Sequence, residues 1–195
     1  MRFFLDTEFM EDGRTIDLVS IALVRADGMD YYAEASHDPT KANDWVKTHV
    51  FPHLRPDRYL KPKDVIRSEI LAFVGPEKPE FWGYYADYDW VAFCQLFGRM
   101  VDLPKGWPKY CMDLKQFAKD LGDPELPKQA ESQEHHALSD ARWNRETWVF
   151  LEDRRARLGF LLQEWLDTPF FEKREAWEEW VRDFRPRVYR ALQRS

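Results

Sequence analysis

The chain opens on Phe3-Phe4-Leu5-Asp6-Thr7-Glu8, and this short stretch restricts the fold more than any other. An apolar run followed by two carboxylates spaced i, i+2 reads as a buried strand with an acidic end. Side chains alternate faces along a strand, so Asp6 and Glu8 share a face. Two carboxylates about 4 Å apart repel by 1 to 4 kcal/mol, depending on the local dielectric. A divalent cation would turn that repulsion into attraction. The plainer reading is a strand running into a polar turn, and an isolated Asp-x-Glu is common by chance. What favours the metal reading is the order of acidic and histidine residues further along.

At 195 residues, 44% hydrophobic and 33% charged, the chain is expected to form one globular domain plus an extension. Nine Trp and fourteen Phe read first as a large aromatic core, with some rings free to stack on bases. The net charge of −6 argues against broad, non-specific binding to phosphate backbones. It leaves room for a nucleic-acid enzyme whose acidic site is neutralised by metal. Cys94 and Cys111 are the only cysteines, in no zinc or disulfide pattern. No signal peptide and no apolar run near 18 residues is visible. The expectation is a cytoplasmic protein without a membrane segment.

The apolar run from Ile16 to Ala26 is a second strand, Asp27-Gly28 a hairpin signal, and Asp30–Ala35 a third strand. The opening is therefore an antiparallel meander, with the short, doubly apolar first strand central. Helices are expected over Asn43–Val50 and Pro62–Val74, then a fourth strand over Glu80–Tyr85 and an amphipathic helix from Asp89 to Phe97. A fifth strand over Lys109–Met112 precedes a helix capped by Asp113 and running to Leu121. A long helix starts near His135 or Ala137 and passes Leu151. Strands followed by alternating helices and strands make a mixed α/β sheet. Residues 155–195 read as an appendage, with helices over Leu158–Leu166 and Glu172–Phe184 and Pro186 as an interruption. The stripe of Trp177, Val181 and Phe184 reads first as a packing face, with a partner interface as the alternative. Arg187, Arg190 and Arg194 read as solvated, or as phosphate contacts.

Two further acidic signals follow. Asp87 and Asp89 lie after the fourth strand at the opening of a helix, where an acid is often only a cap. His135-His136-Ala137-Leu138-Ser139-Asp140 sets an imidazole and a carboxylate about one helical turn apart, a spacing also shared by plain surface pairs.

Taken together, Asp6-Thr7-Glu8, Tyr88-Asp89 and His135-x4-Asp140 resemble, in that order, the pattern of the DEDDh family of 3′-to-5′ exonucleases. That family includes ribonuclease T, oligoribonuclease and proofreading exonuclease subunits. The resemblance covers roughly residues 1–150. The phrases Asp6-Thr7-Glu8-Phe9, Trp45-Val46-x-x-His49-Val50 and Tyr88-Asp89-x-Val91-Ala92-x-Cys94-Gln95-Leu96 are similar to a compact mycobacterial-type branch of polyadenylate-specific exoribonucleases. The resemblance implies a ribonuclease H-like fold: a mixed sheet with flanking helices over residues 1–154, followed by a C-terminal helical extension over 155–195. Asp87 and Asp89 compete for the third carboxylate, and the family's aromatic-Asp ahead of an apolar helix selects Asp89. His135 and His136 compete for the base. His136 fits the Tyr-x3-Asp spacing of the sister family, but the His-x-Ala-Leu-x-Asp-Ala form matches His135.

The resemblance further implies two divalent ions, Mg²⁺ or Mn²⁺, held by Asp6, Glu8, Asp89 and Asp140. Asp6 would bridge both, Glu8 and Asp140 would hold the ion carrying the attacking water, and Asp89 the ion near the leaving group. Hard oxygen donors suit such ions, and paired ions about 3.5–4 Å apart serve phosphodiester hydrolysis. His135 would act as general base. Main-chain groups around Thr7, the Phe9 ring and His49 would meet the terminal nucleotide, although Phe9 also reads as core and His49 as solvated. The expected substrate is RNA with a single-stranded 3′ end, releasing nucleoside 5′-monophosphates. The preference for RNA follows only from the nearest branch. A DNA exonuclease of repair or proofreading, a catalytically idle nucleic-acid-binding module and an accidental match on a structural domain are the alternatives. Related enzymes often pair, so a homodimer is a candidate assembly.

Overall fold

Strand β1 (Arg2–Glu11) pairs antiparallel with β2 (Ile16–Arg25), and β2 pairs antiparallel with β3 (Asp30–Ala35). The computed structural model describes residues 1–130, 134–168 and 174–193. Helices α1 (Asp44–His49) and α2 (Pro56–Tyr59) follow, then a short strand β4 (Leu60–Lys61) and helix α3 (Lys63–Val74). Next come β5 (Glu80–Gly83), α4 (Asp87–Gln95), β6 (Met112–Asp113) and α5 (Leu114–Asp120). Two long helices, α6 (Ala137–Asp167) and α7 (Arg174–Gln193), end the chain. The six strands form one mixed sheet in the order β4-β3-β2-β1-β5-β6, which places β1 inside it, as its apolar composition requires. β5 and β6 add in parallel beyond β1, and β4 in parallel beyond β3.

The meander is as read from the alternation, but β1 does not stop at its acidic pair. It continues to Glu11: opposite the step from Glu8 to Phe9, β2 carries one extra residue, Val19, and pairing resumes at Phe9 and Leu18. The bulge follows Glu8, so the rule that i and i+2 share a face still holds for Asp6 and Glu8. β5 is shorter than its apolar run, ending at Gly83. Tyr85 turns the chain at φ 53°, and the Asp113 carboxylate takes the next amide, Ala86 N, at 2.9 Å. α4 accordingly starts at Asp87, two residues ahead of the expected start, and Asp113 closes β6 ahead of α5.

Much of the aromatic mass of the first 115 residues serves packing, while Trp45, Tyr85, Tyr88 and Tyr110 are exposed. Phe81 on β5 lies 5.0 Å from Phe93, 5.4 Å from Trp107 and 5.8 Å from Phe3, centroid to centroid. Ile66, Ile70 and Val74, one stripe of α3, close this core. Val46 and Val50 of the α1 region cover Met10 and Val19. The α1 start is set by Asn43, whose side chain accepts from Val46 N at 2.9 Å.

Contacts divide the chain into two units, Met1–Lys115 with Lys128–Glu146, and Gln116–Pro127 with Thr147–Ser195. In the second, Arg154 is buried and donates to the carbonyls of Leu121 (3.1 Å) and Ala191 (3.2 Å), serving acceptors near two helix ends. The stretch expected as a separate helix, Leu158–Leu166, is part of the continuous α6. Pro186 lies inside α7 and does not end it. Trp177, Trp180 and Phe184 stack before it, and Arg187 pairs with Glu164 just after it, holding both sides of the missing N–H. The expected start at Glu172 and the tail residue Arg194 lie outside the described residues. Among those described, no helix is long and apolar enough to cross a membrane.

Gly83 is where β5 comes close to its neighbours. A Cβ there would meet Ala86 Cβ at 2.8 Å and the Leu5 carbonyl at 3.2 Å, both held by backbone. We expect Gly83→Ala to lower stability by about 1–3 kcal/mol, measured by urea unfolding.

Candidate active site

The site begins with the strand geometry. Asp6 and Glu8 leave β1 on one face, opposite Ala22 and Ser20 of β2. Asp140, in the first turn of α6, meets them there. One carboxylate oxygen from each of Asp6, Glu8 and Asp140 lies within 4.8 Å of the other two. Asn144, one turn after Asp140, fixes the approach: its buried Nδ2 donates to the Leu5 carbonyl at 2.9 Å.

Asp89 stands in the first turn of α4 and is buried. Its Oδ1 accepts from Thr7 N at 2.9 Å and from Thr7 Oγ1 at 2.6 Å. Thr7 thus spends both donors on Asp89. Asp87, two residues earlier, is exposed. Of the two competing acids, Asp89 is the one whose charge reaches Asp6.

The electrostatics follow from burial. Asp6 is pushed well above the usual carboxylate range by burial first, then by the charges of Asp89, Glu8 and Asp140. Glu8 is raised to about 8, by burial and then by Asp140 and Asp89. Asp89 rises to about 6; burial exceeds the lowering from the two Thr7 hydrogen bonds. Asp140 is raised by burial, against hydrogen bonding from Gln129 and the nearby His135. Four acids are forced together with too little solvent to separate their charges. The donor set is all carboxylate oxygen, which suits a hard divalent cation such as Mg²⁺ or Mn²⁺.

A cleft of about 360 Å³ opens beside these groups, lined by Asp6, Asp140 and His135, and by Tyr84, Trp143 and Asn144. His135 therefore faces the carboxylates. Trp45 meets its ring edge-on at 4.8 Å, and Trp45 in turn stacks on the exposed His49 at 4.8 Å. His136, the competing histidine, stacks instead on Tyr32 at 4.8 Å. Phe9 is half-buried, edge-on to Tyr88 at 5.7 Å.

Several participants were not visible in the motifs. Gln129 donates to Asp140 Oδ1 at 2.5 Å from a loop with no periodic pattern to mark it. Tyr84 and Trp143 pack at 5.0 Å and wall the cleft, yet read in sequence as ordinary core aromatics. Asn144 could have been found, since it lies at i+4 from Asp140 on the same helix face.

The raised acids bind protons more tightly when folded than when unfolded. The stability they contribute is full below the unfolded value and lost as pH rises through the folded one. For Glu8 that window runs from 4.5 to about 8. In EDTA, the melting temperature should therefore fall as pH rises from 5 to 8. Asp6→Asn should flatten that slope, and Mn²⁺ should raise the melting temperature more at pH 8 than at pH 5. Differential scanning fluorimetry checks all three.

Comparison with known proteins supplies independent findings. Residues 1–151 match the family model described as the 3′-5′ exoribonuclease Rv2179c-like domain. The chain is 42% identical over 148 residues to the 3′-5′ exoribonuclease Rv2179c of Mycobacterium tuberculosis (strain ATCC 25618 / H37Rv), covering 73% of this chain and 88% of the relative. The same figures hold for the 3′-5′ exoribonuclease MT2234.1 of strain CDC 1551 / Oshkosh. Among solved structures, the fold is similar to the zinc ion bound form of an E. coli ExoI-ssDNA complex, with a TM-score of 0.59 and 13% identity. It is also similar to a moderately thermophilic exonuclease I from Methylocaldum szegediense, with a TM-score of 0.57 and 12% identity. Each match covers 83% of this chain but only 42% of the solved one, so this chain spans less than half of those exonucleases. At such identities the likeness is one of fold.

Proposed function

Since this chain belongs to the 3′-5′ exoribonuclease Rv2179c-like domain family, we propose that it hydrolyses RNA from single-stranded 3′ ends, releasing nucleoside 5′-monophosphates. The observation that carries the reading is the meeting of Asp6, Glu8 and Asp140 within 4.8 Å, in a cleft that His135 also lines. Asp6, Glu8 and Asp140, with Asp89 behind Thr7, are the residues that would hold two divalent cations, Mg²⁺ or Mn²⁺. Such ions, when bound, neutralise charge at a phosphate and make a bound water acidic.

The chain's own groups do the rest. His135 takes the proton of the attacking water, a task suited to an imidazole. Asp140 lines the same cleft beside it. Thr7 orients Asp89 through two hydrogen bonds, and main-chain groups from Thr7 to Phe9 meet the terminal sugar. Phe9 flanks the terminal base from one side, and His49, backed by Trp45, from the other. Residues 1–154 carry the activity, with 155–195 as a helical extension. A homodimer in the cytoplasm completes the proposal; the pairing habit of related enzymes supports the first, and the free thiols of Cys94 and Cys111 the second.

A 5′-labelled single-stranded RNA and its DNA counterpart test the reaction. We expect stepwise shortening of the RNA from its 3′ end with Mg²⁺ or Mn²⁺, stopped by EDTA, and slower loss of the DNA. Internal cuts, or no products with any metal, would overturn the reading. Asp6→Asn should abolish turnover while leaving the circular dichroism spectrum unchanged. His135→Ala should lower kcat by about 10²–10⁴-fold, and His136→Ala by clearly less; the opposite order would assign the base to His136.

A further inference from the structure

Two groups near the cleft have no part in that reaction. One is His136, beside the proposed base. The other is Glu34 on β3, a carboxylate only 1% exposed. Glu34 lies opposite Ser20, which itself lies opposite Glu8, so it shares the sheet face of the site. Its Oε1 accepts from Arg55 N at 2.6 Å and from the Tyr32 hydroxyl at 3.0 Å. Its Oε2 has no hydrogen-bond partner among the described residues. A buried carboxylate with a bare oxygen weakens the fold, so its presence asks for a reason outside stability.

The backbone at His135 offers one. His135 sits at φ 61°, in the left-handed region. That conformation is unfavourable for an L-residue and persists only where the surroundings over-determine it. The restraints come through His136. Its ring stacks on Tyr32 at 4.8 Å and 20°. Its Nδ1 accepts from Ser139 N at 3.4 Å, and its carbonyl accepts from Asp140 N at 3.1 Å. Tyr32 is fixed in turn. The Tyr59 ring meets it edge-on at 5.1 Å. Burial and then the facing Glu34 hold its hydroxyl protonated, as a donor.

We propose that Glu34, Tyr32 and His136 form a positioning chain that holds His135 in its left-handed conformation within the cleft. The proposal rests on the reading of His135 as general base. Glu34 fixes the Tyr32 hydroxyl, the Tyr32 ring is a platform for His136, and His136 sets the backbone on the carboxyl side of the strained residue. The sheet thereby aims a catalytic group that belongs to a helix entry.

Three variants of the full chain test it, by steady-state kinetics and by NMR of labelled histidine in EDTA without RNA. Tyr32→Leu removes both stack and hydroxyl, Tyr32→Phe keeps the ring, and Glu34→Gln keeps the Oε1 acceptor. We expect Tyr32→Leu to lower kcat by about 10- to 100-fold with KM unchanged, and to broaden or double the His135 ring signals. Tyr32→Phe and Glu34→Gln should fall between it and wild type on both measures. A Tyr32→Leu protein with wild-type kcat, or with lowered kcat but a sharp, unshifted His135 signal, would overturn the proposal. If His135→Ala keeps full turnover, the reading of the base fails, and the NMR arm still decides the positioning chain.

Discussion

The structure depends on the mutual repulsion of carboxylates collected at one place. Asp6, Glu8 and Asp140 bring oxygens within 4.8 Å of one another, and Asp89 adds its charge from behind Thr7. Such a gathering works against folding, and burial pushes every member toward its protonated form. It survives because the surrounding elements are fixed by other means. The Phe81 cluster secures β1 and β5, and Asn144 ties α6 to the Leu5 carbonyl. The apolar core and the acidic nest are therefore carried by the same strand, one stabilising what the other strains.

The same division explains what could be read from the amino acids. The meander was legible because alternation and the Asp27-Gly28 turn are local signals, and the interior place of β1 because its residues are apolar on both faces. The acids could be picked out because Asp6 and Glu8 interrupt an apolar strand and Asp89 and Asp140 stand in first helical turns. Other features depend on contacts across long stretches of chain. The extension of β1 needed a bulge that no residue type announces. The early end of β5 reflects Asp113 capturing the Ala86 amide from 27 positions away. The continuity of α7 through Pro186 rests on ring stacking and on the Arg187 pair with Glu164.

The contest between neighbouring residues shows how little sequence spacing alone can decide. Asp87 and Asp89 both open α4, yet one turns to solvent and the other into hydrogen bonds with Thr7. His135 and His136 are adjacent, yet one lines the cleft and the other lies flat on Tyr32. In both cases the member that fits the family pattern is the one whose charge acts on a clustered acid, Asp89 on Asp6 and His135 on Asp140. The unselected neighbour is not idle in the second case, since its ring and backbone restrain the residue beside it.

The bulge after Glu8 has a consequence for how this strand can change in length. The extra residue there is Val19 of β2, so β1 itself keeps its alternation, and a residue added to β1 after Glu8 leaves the face of both acids unchanged. One inserted before Asp6 would rotate the acids toward Phe81 and exchange them with Phe3 and Leu5. A change in length thus spares the acids' facing on one side of the pair and inverts it on the other. The strand behaves as a ruler with a fixed zero at its amino end.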